Sequence, residues 1–372
     1  MRYYLIAGEA SGDLHASNLI RELALQDQEA TFRCWGGDMM ARQGAELVKH
    51  YRDLAFMGFM EVVTHLPTIL LNFHQCEKDL KDYNPDVLIL VDYPGFNLRM
   101  AKFAKMHGIQ VFYYISPQLW AWHSSRVQTI KKWVDRMFVI LPFEKDFYAR
   151  YDYHVDFQGH PLLDVINDDL KVPGRNEFLE LNSLPDLPVI ALLPGSRKME
   201  IEKVLKIMIS VCPSFPGFQF VIAGAPSISD EFYSGILKGT DIRIISGQTY
   251  PLLSHAEAAL VTSGTATLET ALFGVPQVVC YRGNIFSYLI ARRLVHVDYI
   301  SLVNLIGGKL IVPELIQKEL NHKNLVNELR MILEPGIGRD KVLEGYRELK
   351  QLMGGRGASA RCAHLMIQYL TK

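Results

Sequence analysis

Short apolar runs alternate with stretches of helical periodicity along almost the whole chain. Residues 2–7 (RYYLIA) precede the amphipathic segment 15–27, and residues 86–95 (DVLILVDYPG) precede a second such segment, 96–108. Apolar runs of this kind are typical of strands that are buried on both faces, and their alternation with helices indicates a parallel sheet. The pattern therefore predicts an α/β fold in which helices cover both faces of each sheet.

The alternation is interrupted once, and this divides the chain into two parts. Residues 161–187 are richer in charge, Pro and Asn, as expected of a linker, and a new apolar run with a Gly-containing turn begins at 188–197 (PVIALLPGSR). We therefore expect two Rossmann-like domains, at residues 1–165 and 180–340, that face each other across a cleft. The last helices, from about residue 340 to 372, are expected to pack back on the first domain or on that of a partner chain, which leaves a homodimer open.

Composition narrows the classes of function. The 372-residue chain has a net charge of −1, which gives no indication of nucleic-acid binding. Its five cysteines are scattered without a CxxC pair, which is typical of a reducing compartment and argues against a disulfide framework or a zinc site. The N-terminal residues do not have the pattern of a signal peptide, so we expect a cytoplasmic protein.

The most apolar stretch, residues 55–75, leaves two interpretations open. Glu61, His65 and Pro67 interrupt it, and a bilayer span requires roughly 18 uninterrupted apolar residues. The stretch can form a pair of core helices. Alternatively, it can expose an apolar surface, including Phe56 and Phe59, to a lipid or a membrane.

Two polar turns in the second domain follow apolar strands and precede helices. Gly195, Ser196 and Arg197 form the first turn, and residues 263–269 (SGTATLE) form the second. A helix N-terminus offers free N–H groups and a positive dipole end, and Arg adds a charged donor fork that suits phosphate. The two turns predict a diphosphate site, with Glu269 placed to accept hydrogen bonds from a ribose diol. Ordinary capped turns are the alternative.

The corresponding turns of the first domain are acidic. Residues 8–15 (GEASGDLH) contain Glu9 and Asp13, which would repel a pyrophosphate, so this turn suits the hydroxyl groups of an acceptor better. Asp92 ends a strongly apolar strand, where partial desolvation raises the pKa of a carboxylate towards values useful for a general base. A helix N-cap is the alternative role for Asp92.

Motifs of several other enzyme classes are absent from the sequence. It contains no D-x-D, no GxxxxGK[ST] loop, no HExxH and no GxSxG. The sequence therefore lacks the main motif of a metal-bound diphosphate site, of a P-loop nucleotidase and of a serine hydrolase. We expect neither a metal nor a cofactor.

Nine ordered segments resemble the lipid-A-disaccharide synthase family, whose members have the metal-independent GT-B glycosyltransferase fold. The segments are GEASGDLHA, DYPGFN, SPQLWAW, LPFE, GHPLLD, LLPGSR, SGTATLE, GVPQVVCYR and DYISLVNL. The resemblance implies an inverting transfer of 2,3-diacylglucosamine from UDP-2,3-diacylglucosamine to 2,3-diacylglucosamine 1-phosphate. The products would be the β-1,6-linked lipid A disaccharide 1-phosphate and UDP. It also implies a peripheral enzyme on the inner face of the inner membrane of a Gram-negative bacterium.

The turns and the resemblance together define three sets of candidate site residues. The UDP set is Gly195, Ser196, Arg197, Ser263, Gly264, Thr265, Ala266, Thr267, Glu269 and Tyr281. The acceptor and lipid set is Ser11, Gly12, Asp13, Asn97, Gln118, Trp120, Trp122, Phe56, Phe59 and Asn304. The catalytic set is Asp92, His15 and Glu9.

Asp92 is expected to be the general base. Family members often carry a second carboxylate in a D-x-P-D-F-N motif, whereas this chain has Gly95 at that place, so a mechanism through the second acid cannot apply. His15 ranks second because an unperturbed imidazole pKa of about 6.5 already suits base catalysis. Glu9, on the turn after the first strand, is a further candidate for the general base.

Two other classes of function fit parts of this pattern. Another UDP-sugar transferase of the same fold, or a related epimerase, would share the diphosphate turns and differ in its products. A small-molecule-binding protein with two α/β lobes would share the architecture but release no UDP.

Overall fold

The computed structural model describes residues 1–54, 66–122, 126–167, 169–226, 228–283 and 298–371. The chain divides into two units, of which the first consists of Met1–Asp164 together with Met353–Lys372 and the second of Val165–Leu352. Phe56 and Phe59, which were predicted to face lipid, lie outside the described residues.

Within the described residues, the first unit contains a seven-stranded parallel sheet in the order β3-β2-β1-β4-β5-β6-β7. Its strands are β1 (Arg2–Ala7), β2 (Thr31–Gly36), β3 (Glu46–His50), β4 (Val87–Val91), β5 (Gln110–Tyr114), β6 (Arg136–Val139) and β7 (Asp156–Phe157). Ala7 pairs with Val91, so β1 and β4 end side by side. The strand order reverses between β1 and β4. In open α/β sheets, ligands bind in the crevice at such a point of reversal.

Helices connect these strands and cover the sheet. In chain order they are α1 (Ala10–Gln26), α2 (Asp38–Arg42), α3 (Leu66–Tyr83), α4 (Pro94–Met106), α5 (Leu119–Trp122), α6 (Val127–Trp133), α7 (Glu144–Ala149) and α8 (Leu162–Val165), with a 3₁₀ turn at Tyr51–Asp53. Every residue of β4 is buried, because Leu88 and Leu90 pack into one core cluster and Ile89 and Val91 into another. Burial on both faces explains why this strand is an uninterrupted apolar run in the sequence.

The described part of the second unit repeats this architecture, with six parallel strands in the order β10-β9-β8-β11-β12-β13. The strands are β8 (Val189–Leu193), β9 (Gln219–Gly224), β10 (Arg243–Ser246), β11 (Ala256–Thr262), β12 (Gln277–Tyr281) and β13 (Glu314–Ile316). The helices are α9 (Arg175–Leu181), α10 (Lys198–Ser210), α11 (Asp230–Ile236), α12 (Thr249–Ser254), α13 (Thr265–Leu272), α14 (Leu302–Gly307), α15 (His322–Leu333) and α16 (Ile337–Leu352), with a 3₁₀ turn at Cys212–Ser214. The strand order reverses between β8 and β11, so this unit has a crevice of the same kind.

The last helix, α17 (Ala358–Leu370), belongs to the first unit. Its residues Cys362, Ala363 and Met366 are buried in a core cluster that also contains Leu5 of β1 and Leu19 of α1. The last helix therefore completes the face of the first sheet that α1 covers.

The expected return of the chain at about residue 340 is corrected to Met353. α16 stays with the second unit, where the Tyr346 hydroxyl donates to the Val275 carbonyl at 3.0 Å and accepts from the Gln277 amide at 3.1 Å. The prediction of an α/β chain with two Rossmann-like parallel sheets is confirmed. Among the described residues, no helix combines the length and the hydropathy that a membrane crossing requires.

Candidate active site

The turns after β1 and β4 form the crevice of the first unit. Asp92 and Tyr93 follow β4 with φ angles of 45° and 48°, a left-handed conformation that is uncommon outside glycine. The Tyr93 ring lies over Gly8, where a Cβ atom would come within 2.3 Å of the Tyr93 Cγ atom. The turn after β1 therefore requires glycine at this position, and the two turns pack closely together.

Three hydrogen bonds hold the backbone of Asp92. Its carbonyl accepts from the Tyr113 hydroxyl at 2.6 Å and from the Asn97 side-chain amide at 2.7 Å, and its N–H donates to the Ile115 carbonyl at 3.2 Å. Asn97 is completely buried, so the expectation that it contacts the acceptor is corrected: its amide positions the backbone of Asp92. The Asp92 residue itself is half-buried and keeps access to solvent.

The surroundings of Asp92 make its carboxylate a stronger base than an ordinary aspartate. Burial raises the pKa of Asp92 to about 6, the negative charge of Glu9 adds to the rise, and a hydrogen bond from the Tyr93 backbone opposes it. Glu9 is the N-cap residue of α1, and its side chain makes no capping hydrogen bond there. Glu9 and Asp92 thus act on each other electrostatically at the edge where β1 and β4 end.

His15 is a weaker base than its ordinary pKa suggests. Its side chain is buried in α1, and its Nδ1 atom has no hydrogen-bond partner among the described residues. Burial lowers the pKa of His15 to about 4, with the charge of Asp164 opposing the shift, and burial lowers the pKa of the neighbouring His160 to about 3. The imidazole is therefore neutral at physiological pH, and the argument that ranked His15 second on its ordinary pKa was wrong.

Asp13 is a structural cap, which corrects its expected contact with the acceptor. Its buried carboxylate accepts hydrogen bonds from the backbone N–H groups of Gly37, Met39 and Met40 at 2.9, 3.1 and 3.1 Å. These donors lie at the N-terminus of α2, so Asp13 ties α1 to the next βα turn. Gly12 is also buried, and it allows α1 to pack closely on β1.

The remaining acceptor candidates of the first unit differ in exposure. Ser11 and Gln118 are exposed, and Trp120 is half-buried with its ring edge-on to Phe143 at a centroid distance of 5.0 Å. Trp122 ends α5, and its side chain lies outside the described part of the structure. Ser11, Gln118 and Trp120 are thus the candidates of this group that a ligand can reach.

The turn after β8 begins the crevice of the second unit. Gly195 has a φ of 103°, and a Cβ atom there would lie 3.5 Å from Thr262 at the end of β11, so the two turns touch. Arg197 is the N-cap residue of α10, and both it and Ser196 are exposed. Arg197 makes a long ion pair of 3.4 Å with Glu200, a surface contact that contributes little to stability.

Two hydroxyl groups of the turn after β11 make hydrogen bonds within the fold. Thr267 is buried, which corrects its expected contact with UDP, whereas Ser263 is half-buried and stays a candidate. The Ser263 hydroxyl donates to the Ile300 carbonyl at 2.7 Å, and the buried Thr267 hydroxyl donates to the Gly264 carbonyl at 2.8 Å. Both donor hydrogens are therefore occupied. The backbone N–H groups at the start of α13 and the hydroxyl of the exposed Thr265 are the donors that this turn can offer to an anion.

Glu269 lies one helical turn further along α13, after the exposed Thr265 and the half-buried Ala266. Its Oε1 atom accepts a hydrogen bond from the Tyr250 hydroxyl at 3.0 Å, and the Tyr250 ring packs on Phe273. Burial raises the pKa of Glu269, and the Tyr250 hydrogen bond opposes this rise. The carboxylate is thus held in a fixed orientation near the start of α13.

Asn304 is structural, and its expected contact with the acceptor is corrected. Its buried side-chain amide donates to the Val312 carbonyl at 2.9 Å and to Glu314 at 2.8 Å, while its oxygen accepts from the N–H groups of Ile311 and Val312. All hydrogen-bonding positions of the amide are used, so Asn304 fixes the loop before β13. Tyr281 ends β12 and is half-buried.

Sequence reasoning did not identify Glu144, which follows β6, or Tyr250, which holds Glu269. Glu144 follows β6 in the segment LPFE, where a carboxylate succeeds an apolar strand as Asp92 does after β4. That shared pattern was the available signal for Glu144. No local pattern marks Tyr250, because its partner Glu269 lies 19 residues away in a different βα unit.

Comparison with known proteins gives the family. The family model described as "Lipid-A-disaccharide synthetase" matches residues 3–362. This chain belongs to the lipid-A-disaccharide synthase family. The lipid-A-disaccharide synthase of Syntrophus aciditrophicus is 40% identical to it, covering 99% of this chain and 97% of that protein. That of Myxococcus xanthus is 38% identical, again covering 99% and 97%. Members of the lipid-A-disaccharide synthase family are hexosyltransferases, so the chain is an enzyme of that class.

Solved structures show the fold type of this lipid-A-disaccharide synthase family member. A Staphylococcus aureus MnaA structure with UDP has a TM-score of 0.71 at 14% identity, and covers 100% of this chain and 97% of that chain. UDP-GlcNAc 2-epimerase from Neisseria meningitidis, bound to UDP-GlcNAc, has a TM-score of 0.66 at 14% identity and covers 100% of both chains. At these identities the likeness shows the fold alone, and the predicted GT-B architecture is confirmed.

Proposed function

We propose that this chain transfers 2,3-diacylglucosamine from UDP-2,3-diacylglucosamine to the 6-hydroxyl of 2,3-diacylglucosamine 1-phosphate. The products are the β-1,6-linked disaccharide 1-phosphate and UDP. The observation that carries the proposal is the family match over residues 3–362, together with relatives named lipid-A-disaccharide synthase that align over nearly the whole chain.

The donor diphosphate is assigned to the crevice of the second unit. The turn at Gly195–Arg197 and the start of α13 supply backbone N–H groups, and the exposed Arg197 supplies a cation. Such preorganised donors stabilise the negative charge that develops on the leaving diphosphate. Tyr250 holds one oxygen of Glu269, so we assign the other oxygen to the ribose diol of UDP.

The acceptor hydroxyl is assigned to Asp92. Inversion requires a base on the face of the donor sugar opposite the leaving group, by analogy with inverting glycosidases. The hydroxyl proton passes to the Asp92 carboxylate, the hydroxyl oxygen bonds to C1, and the electron pair of the broken C1–O bond leaves with UDP. Since the pKa of Asp92 is about 6, its carboxylate is mostly ionised at neutral pH and accepts a proton better than an ordinary aspartate.

The acyl chains and the membrane surface are assigned to the apolar stretch around α3. Leu70 and Leu71 of this helix are 49% and 63% exposed, which favours a lipid-facing surface over a core helix in this described part of residues 55–75. We accordingly place the enzyme peripherally on the inner face of the inner membrane, where a diacylated acceptor would be presented.

The deciding experiment measures UDP release from UDP-2,3-diacylglucosamine with and without 2,3-diacylglucosamine 1-phosphate. We expect release only with the acceptor, and a disaccharide 1-phosphate in a one-to-one ratio with UDP. Release without the acceptor would indicate a hydrolase or an epimerase that loses its intermediate. Donor binding without any release would indicate a binding protein and would refute the proposal.

A further inference from the structure

A buried carboxyl group with no part in the proposed reaction joins two turns at the edge of the first sheet. Glu144 is 1% exposed, and one of its oxygens accepts a hydrogen bond from the Ser116 hydroxyl. Its other oxygen accepts from the backbone N–H groups of Ile140 and Leu141 at 3.2 and 2.9 Å. Ser116 follows β5 and the two N–H groups follow β6, so Glu144 ties the ends of these strands together.

Ile115, immediately before Ser116, has a strained backbone. Its φ of 66° is a genuine outlier for a β-branched residue. Such a conformation persists only where the surrounding structure fixes it. The Ile115 N–H donates to the Phe138 carbonyl at 3.0 Å, and the adjacent Ser116 side chain is anchored by Glu144.

The strained residue in turn holds Asp92. The Ile115 carbonyl accepts the hydrogen bond of the Asp92 N–H at 3.2 Å, and Asp92 is itself left-handed with a φ of 45°. If Ile115 relaxed, its carbonyl would rotate and Asp92 would lose one of the bonds that keep it in this conformation. A misplacement of about 1 Å can reduce a rate by about 100-fold, so a small shift at Asp92 would be measurable.

We propose that Glu144 is a positioning residue for Asp92. Through Ser116 it holds Ile115 in the left-handed conformation, and so it fixes the backbone from which the Asp92 carboxylate projects. This inference rests on the proposed role of Asp92 as the general base. Burial also raises the pKa of Glu144 to about 7, and the hydrogen bonds from Ser116, Leu141 and Ile140 oppose this rise because they favour the ionised carboxylate.

Three substitutions test the link. Ser116→Ala removes the anchor next to Ile115 and should lower kcat about 10- to 100-fold, with the affinity for UDP unchanged. Glu144→Ala should lower kcat to a similar extent. Glu144→Gln should retain most of the activity, because its amide oxygen can accept from Ile140 and Leu141 while its NH₂ group donates to the Ser116 hydroxyl.

Ser17→Ala is the matched control, because Ser17 is also a buried serine of the first unit, and its hydroxyl donates to the Leu14 carbonyl at 2.7 Å. It should lower Tm about as much as Ser116→Ala and leave kcat unchanged. Amide hydrogen exchange of residues 90–97, which needs no substrate, should be faster in Ser116→Ala than in Ser17→Ala.

The proposal is overturned if Ser116→Ala keeps its kcat, or if exchange over residues 90–97 is unchanged. It is also overturned if Glu144→Gln loses as much activity as Glu144→Ala, because a hydrogen-bonding anchor would then not be what matters. If Asp92→Asn stays active while Ser116→Ala still speeds exchange at residues 90–97, the base assignment fails and the structural link to Asp92 is supported.

Discussion

In the proposed mechanism, the protonation of Asp92 sets the lower limit of the pH range in which the enzyme can work. Because burial and Glu9 raise the pKa of Asp92 to about 6, the carboxylate is protonated below this pH and cannot accept the hydroxyl proton. We expect kcat/KM for the acceptor to fall about tenfold per pH unit below about 6 and to be level above it. Asp92→Asn should lower the plateau at least about 100-fold, with UDP binding intact. If the residual activity of Asp92→Asn instead falls below about pH 4, this acidic limb of the pH profile would point to His15 as the base.

Substitution of Glu9 tests whether its negative charge raises the pKa of Asp92. Its negative charge disfavours the ionised form of Asp92, so Glu9→Gln should lower the pKa of Asp92 and move the acidic limb to lower pH. Burial is the larger cause and remains, so the limb should stay above the ordinary aspartate value of about 3.9. The measurement is the pH–rate profile, with Glu22→Gln on the same helix as the control. A limb that stays in place in Glu9→Gln would show that the two carboxylates do not interact.

Asp13 and Asp92 show what the sequence can predict about single residues. Both follow an apolar strand within a Gly-containing turn, and the sequence makes both candidate site residues. Asp92 was assigned from the apolar run before it, and the structure gives it the raised pKa that such a run predicts. The partners of Asp13 are N–H groups at residues 37–40, in the next βα unit, and its own segment carries no sign of them.

At the level of elements, we propose that the turn after β8 and the helix α10 form the anion-binding part of the second unit. Arg197→Ala should weaken UDP binding by about 1.5–3 kcal/mol, the range for a hydrogen bond to a charged group. Arg347→Ala is a matched control, because both side chains are 69% exposed and both pair with a glutamate three residues away. Calorimetric titration of UDP checks the prediction, and equal affinities in the two variants would remove Arg197 from the donor site.

The helix α3 is the element on which membrane contact can be tested. Leu71→Lys places a charge on its exposed surface and should weaken flotation of the protein with phosphatidylethanolamine–phosphatidylglycerol vesicles. Leu181→Lys is the control, because Leu181 is 67% exposed on the second unit and Leu71 is 63% exposed. Circular dichroism should be unchanged in both variants. Equal flotation of the two would mean that α3 does not meet the membrane.

Elements were more predictable than contacts between them. The buried strand β4 and the turn of Asp92 follow from the run LILVD, because burial on both faces leaves an uninterrupted apolar stretch. The left-handed conformation of Ile115 could not be predicted, because nothing in the local sequence favours it. It depends on bonds to Phe138 and Asp92, which the fold brings together from neighbouring strands.

For the molecule as a whole, the boundary near the C-terminus was the least predictable feature. The sequence shows two helical segments around residues 354–357 (GGRG) and gives no sign that they belong to different units. α16 packs in the second unit through Tyr346, and α17 packs in the first through Met366. Which core an amphipathic helix joins is decided by the surface it meets, and that information is not local.

Asp164 attaches the C-terminal segment Met353–Lys372 to the first unit. Replacing Asp164 should therefore destabilise that unit alone. Its carboxylate accepts from the backbone N–H groups of Gly357, Ala358 and Ser359 at 2.6, 3.3 and 2.8 Å, which caps α17. Asp164→Ala leaves these donors unpaired and should cost about 1–3 kcal/mol of unfolding free energy. Hydrogen exchange should become faster in α17 and in α1, which packs against it. Asn321→Ala removes the cap of α15 in the second unit and is the control that should speed exchange there instead. If Asp164→Ala speeds exchange equally in both units, the last helix does not stabilise the first unit selectively.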